Sequence, residues 1–120
     1  MLTAHAGFGF RRAHRLHKTD EFSSVFAFKR VLRGRFYVVH YRPNGLPSAR
    51  LGLAVAKKLV RHANGRNLLK RIAREIFRLR REGLPACDLI VRVHAPTAKA
   101  SRAELRQDLQ QLLGRLPSVP

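Results

Sequence analysis

The chain has 120 residues, 45% of them hydrophobic, which allows one domain with a modest core and is too much apolar material for a disordered basic tail. Twenty-five Lys and Arg against seven Asp and Glu give a formal net charge of +18, far from the balance of an ordinary metabolic enzyme. The single cysteine, Cys87, excludes an internal disulfide framework and a multi-cysteine metal site, and no apolar run approaches the roughly 18 residues that span a bilayer.

In chain order, residues 1–18 read as irregular and basic, with Arg11, Arg12, Arg15 and Lys18 and no secretory-signal pattern. Thr19 is a cap candidate ahead of Asp20 and Glu21, and Phe22, Val25 and Phe26 follow at helical spacing, so a short helix is predicted to about Phe28. Val31-Leu32 reads as a brief strand. Arg35–Tyr41 reads as a strand with Phe36, Val38 and His40 on one face and Tyr37, Val39 and Tyr41 on the other. The Pro43–Pro47 loop leads to a third strand, Arg50–Ala56, with Leu51, Leu53 and Val55 on one face, and the two strands are expected to pair as antiparallel neighbours. A long helix is predicted from near Asn64 to Gly83, its apolar stripe running through Leu69, Ile72, Ala73, Ile76 and Leu79/Arg80, widened by Leu68 and Phe77. Asp88–Val93 reads as a buried strand. Ser101 with Glu104 forms a capping box for a last helix that buries Leu105, Leu109, Leu112, Leu113 and Leu116. The expected fold is α+β: one domain over residues 1–120, about 8–116 ordered, with a small sheet of about four strands and three helices in the order αβββαβα.

The charge is segregated. No acid lies between Phe22 and Arg74, a stretch with thirteen Lys or Arg. A charge run by itself is usually a solvated face, but a density this high repels itself unless a polyanion neutralises it. On the long helix, Arg66, Lys70, Arg74 and Arg78 step by four along one flank, beside Asn67, Arg71 and Arg81, opposite the apolar stripe. Such a ridge fixes the spacing of its cations, and Lys57, Lys58, Arg61 and His62 extend it into the preceding loop. Guanidinium forks and an Asn amide donate to phosphate oxygens and 2′-hydroxyls. A membrane-surface helix is the rival reading, but the aliphatic side is needed for the core and the chain has no Trp. Phe22, Phe26, Phe36, Tyr37, His40 and Tyr41 supply aromatic surface of the kind on which single-stranded bases stack, although most aromatics at such spacing are core. The six histidines are scattered without metal-ligand or catalytic spacing, and Cys87 reads as core. Binding, rather than side-chain chemistry, is predicted.

Leu51-Gly52-Leu53-Ala54-Val55-Ala56-Lys57-Lys58, Ala63, and Arg66-Asn67-x-x-Lys70-Arg71-x-x-Arg74-Glu75 together resemble the signature of the bacterial ribonuclease P protein component. Phe10, Arg15-Leu16, Glu21-Phe22 and Val25-Phe26 fit the same pattern upstream. Phe77-Arg78-Leu79-Arg80 and Leu84-Pro85-Ala86-Cys87-Asp88-Leu89 fit it downstream, so the likeness covers about residues 8–116. Gly65, in the first turn of the basic helix, and His40, at a position often larger or aliphatic, depart from it.

The resemblance implies a left-handed βαβ crossover carrying the basic helix, against the usual handedness. It implies a protein cofactor of ribonuclease P, an endoribonuclease that removes the 5′ leader of precursor tRNA, with catalysis by a partner RNA and Mg2+ held through that RNA. No catalytic or metal-binding side chain is implied. The expected RNA-subunit contacts are Lys57, Lys58, Arg61, Arg66, Asn67, Lys70, Arg71 and Arg74, and the expected leader cleft is Arg15, Phe22, Phe26, Val38 and His40. The expected partners are ribonuclease P RNA, one per protein, and precursor tRNA, in the cytoplasm and away from membranes. The alternatives are a structural or ribosomal RNA-binding protein and a histidine-dependent nuclease acting without RNA.

Overall fold

A computed structural model describes residues 14–117; Phe10, Arg11, Arg12 and the end of the tail lie outside the described residues. The order is α1 (Thr19–Phe28), β1 (Val31–Arg33), β2 (Tyr37–Pro43), β3 (Arg50–Ala54), α2 (Ala63–Arg80), a 3-10 turn at Arg81–Gly83, β4 (Cys87–Val93) and α3 (Arg102–Gly114). The strands form one mixed sheet in the order β1-β2-β4-β3, antiparallel except for β3 with β4. This is the α+β fold of three helices and four strands that the sequence predicts.

The predicted pairing of β2 with β3 is corrected: β4 lies between them. The cause is in β4 itself. Leu89, Ile90 and Val91 are all buried, so both faces of this strand need cover, and a strand apolar on both faces belongs in the sheet interior. The loop between β2 and β3 contains Asn44–Pro47 rather than a two-residue turn, and leaves a gap that one strand fills.

Alternation sorts the sheet into two faces. One face, with Tyr37, Val39, Leu51, Leu89, Val91 and Val93, packs against Leu69, Ile72, Ala73, Ile76 and Phe77 of α2 and Leu105, Leu109, Leu112 and Leu113 of α3. Phe36 belongs to this larger core, not to the side of Val38 and His40, because β2 starts only at Tyr37. The other face carries the smaller cluster of Leu16, Val25 and Ile90, with Phe22 packed against it, under α1. Leu79, expected in the buried stripe of α2, is 56% exposed; the stripe turns through Ile76 and Phe77 instead.

Side chains fix how these layers meet. Asp108 of α3 accepts the backbone amides of Arg35 (2.7 Å), Phe36 and Tyr37 (both 2.9 Å), clamping the start of β2. Gly34 makes room for this: a Cβ there would sit 2.5 Å from the Asp108 carboxylate. Ser101 and Glu104 form the expected capping box of α3. At α1 the cap differs from expectation. Lys18, not Thr19, is the N-cap residue, and Glu21 Oε1 accepts the amides of His17 (2.9 Å) and Lys18 (3.0 Å).

Candidate nucleic-acid interface

The basic ridge stands on α2 because the helix is tied down on its other side. Its stripe is buried, Tyr37 Oη donates to the Leu69 carbonyl (3.2 Å), and Arg106 of α3 pairs with Glu75 (3.2 Å). Asn67 and Arg71 are exposed, and Lys70, Arg74 and Arg78 half-buried, along the outer flank. Lys57, Lys58, Arg61 and His62 are exposed in the connection that follows β3. Arg66 has a structural duty as well: its Nη1 donates to the carbonyls of Val60 and Arg61, both at 2.9 Å, and so holds that connection against the helix.

The predicted cleft residues also assemble. Arg15 bridges to Leu51 at the free edge of β3, where Leu16 N donates to the Leu51 carbonyl (3.0 Å). Phe22 lies over Gly52, and a Cβ at that glycine would come within 2.7 Å of the ring, so only glycine lets α1 sit this low. Phe26 is 40% exposed and meets the His40 ring edge-on at 4.8 Å. Val38 lies on the same face but is wholly buried, a floor to the cleft rather than part of its open wall. Burial, and then the charges of Arg92 and Arg33, push the His40 imidazole below its ordinary range, so it is neutral at pH 7.

The two sets of residues meet at the β3 edge. A groove of about 210 Å3 runs along the β3 edge and is lined by Arg15, Phe22 and Gly52 on one side and Lys70 and Arg74 on the other. A second, of about 290 Å3, continues between Arg15, Arg71, Arg74, Glu75 and Arg78.

Five of the seven acids, by contrast, are engaged within the chain, while Asp20 and Glu82 are exposed. Arg50 forks onto Asp88 through Nε and Nη2, both at 2.8 Å, and reaches Glu21 with Nη1 at 2.9 Å, joining α1, β3 and β4. Asn44 adds a hydrogen bond to Asp88 at 3.0 Å. Amides of Lys18 and His17, with Arg50 behind them, hold the Glu21 carboxyl down at about 2. Glu75 and Glu104 pair with Arg106 and Arg35. Sequence reasoning missed this network; an Asp at the start of an apolar strand was its one visible signal. Among the described residues no group of three His, Cys, Asp or Glu is placed to hold a metal ion, and no helix is long and apolar enough to cross a membrane. Cys87 is buried, and burial followed by the Asp88 charge pushes its thiol up to about 12.

Fold and surface together define a small α+β domain whose cationic helix flank meets an aromatic cleft at the β3 edge, a surface with the chemistry to suit an extended polyanion. The family model described as Ribonuclease P matches residues 10–117. The ribonuclease P protein component of Azoarcus sp. (strain BH72) is 70% identical over 92% of both chains, and that of Aromatoleum aromaticum 58% identical over 88% of this chain and 89% of its own. The solved ribonuclease P protein of Staphylococcus aureus superposes with a TM-score of 0.79 at 29% identity, covering 86% of this chain and 94% of that one. The Thermotoga maritima protein does so with a TM-score of 0.76 at 32% identity, covering 87% and 98%. The chain belongs to the ribonuclease P protein family.

Proposed function

We propose that this chain is the protein subunit of a bacterial ribonuclease P, and that it binds the RNA subunit and the 5′ leader of precursor tRNA on one continuous surface. The observation that carries the proposal is the groove at the β3 edge, where Phe22 of α1 and Lys70 and Arg74 of α2 share one wall-to-wall channel. In this reading Lys57, Lys58, Arg61, Arg66, Asn67, Lys70, Arg71 and Arg74 meet the RNA subunit, and Arg15, Phe22, Phe26 and His40 meet the leader above Val38. The cations lower repulsion between two large RNAs. Leader contacts exist only with precursor, so they favour substrate over product.

The chemistry of cleavage falls to the RNA. The carboxylates of Glu21, Asp88, Glu75, Glu104 and Asp108 are engaged by the chain's own cations and amides, which does not suit them to a divalent ion. Mg2+ at this face would be held by RNA phosphates. One protein per RNA subunit suits a single continuous face.

Cleavage of precursor tRNA at low magnesium, with a bacterial ribonuclease P RNA and with or without this protein, tests the reading. Stimulation that requires the RNA is expected. Tight RNA binding without stimulation would instead make the protein a structural RNA-binding domain, and cleavage by the protein alone would make it a nuclease.

A further inference from the structure

Strand register places two cations that the cleft described above does not include. Partners across the sheet share a face. Arg33 of β1 pairs with Val38 of β2, Val38 with Arg92 of β4, and Arg92 with Ala54 of β3, so Arg33 and Arg92 flank Val38 on the side of α1. Two strand spacings separate them, about 10 Å between backbones, close enough for both guanidinium groups to reach one phosphate. The next row holds His40, under the exposed edge of Phe26.

Neither arginine has an acidic partner among the described residues. The ion pairs among the described residues use Arg35, Arg50 and Arg106, and leave Arg33 and Arg92 out. The acid nearest along β4, Asp88, is four residues away, about 13 Å, and is already forked by Arg50. What Arg92 does have is an acceptor: its Nε donates to His40 Nε2 at 3.4 Å. A neutral His40 thus aims the arginine and leaves both Nη groups free to donate outward. Arg33 is exposed and Arg92 half-buried. A half-buried arginine aimed by a neutral ring, beside a second cation and an exposed phenylalanine, presents the forked donors that a phosphate oxygen accepts from.

We infer that Arg33 and Arg92, with His40 aiming Arg92, clamp a phosphodiester of single-stranded RNA at the nucleotide that stacks on Phe26. This rests on the leader-cleft reading and adds the residues that set the strand's path beyond Phe26, on the side away from α2. The clamp reads the backbone and not the base, so it contributes affinity for any leader long enough to reach it.

The holoenzyme, reconstituted with a bacterial ribonuclease P RNA, provides the test. With Arg33→Gln/Arg92→Gln, precursor tRNA should bind about tenfold more weakly, mature tRNA unchanged, and the log–log salt slope for precursor should fall by about 0.7, the value for one single-strand phosphate. In wild type, one methylphosphonate walked along the leader should weaken binding at a single position, and that sensitivity should vanish in the double variant. The wild-type scan does not depend on how the variant folds. Discrimination retained by the double variant but lost in Phe26→Ala would overturn the clamp and keep the cleft. Discrimination retained by both would overturn the clamp and the cleft reading together. Uniform sensitivity along the leader would overturn the clamp alone.

Discussion

Asp108 shows how much one side chain can do here. Its carboxylate takes three consecutive amides, and nothing else in the described structure accepts them. Asp108→Ala should cost about 2–3 kcal/mol in urea unfolding, the order expected when buried donors lose a charged acceptor; a loss under about 0.5 kcal/mol would mean that water replaces the carboxylate. Glu21 carries a pH signature. Its folded-state value lies near 2 against an ordinary 4.5, so its contribution is complete above about pH 4.5 and is lost as pH falls towards 2. Glu21→Gln should flatten the stability profile in that window, and an unchanged profile would show that the amides of His17 and Lys18 do not hold the carboxylate in solution. The Cys87 thiol, at about 12, should resist alkylation at pH 8 in the native protein and react only on unfolding. Fast native reaction would show that the strand opens locally.

Among elements, α2 separates two roles that look identical in sequence. Arg66 fastens the Val60–Arg61 carbonyls, whereas Arg71 is exposed. Both Arg66→Ala and Arg71→Ala should weaken binding of the RNA subunit. Only Arg66→Ala should also raise amide exchange across residues 57–66, and equal exchange in the two variants would reduce Arg66 to another surface cation. Helix positions were legible because periodicity is local: the ridge of Arg66, Lys70 and Arg74 and the capping box of Ser101 and Glu104 need only neighbouring residues. Strand pairing was not. Its signal lay in the doubly buried run Leu89-Ile90-Val91, but the proximity of β2 and β3 in sequence pointed to a hairpin. The same blindness hid Arg33 and Arg92, which are neighbours only through the register of three strands. In sequence Gly52 is visible only as part of a motif, while its physical role, admitting Phe22 to the sheet, depends on α1.

Over the whole molecule, the +18 charge is sorted by side. Glu21, Asp88, Glu75, Glu104 and Asp108 knit layers together, whereas Lys57, Lys58, Arg61 and Arg71 are exposed on α2 and its preceding connection. Seven of the proposed RNA-subunit contacts are cations, so affinity for that RNA should fall with a log–log salt slope of roughly −5 to −6, at 0.7 to 0.9 per phosphate. A slope near −2 would confine the interface to a corner of the ridge. The same sorting leaves the free protein under self-repulsion that any bound polyanion relieves.

The place of β4 has a consequence for the way the chain is made. β2 and β3 leave the ribosome early, yet each waits for a strand, Cys87–Val93, that emerges only after the whole of α2. In the interval the most cationic stretch of the polypeptide is already synthesised while the sheet that will support it has no centre. Contacts of this sequence separation slow folding relative to local ones, so the nascent protein passes through a stage in which it is already a strong polycation and not yet a shape. An RNA present at that moment meets charge before it meets geometry, and selectivity arrives only with Val93.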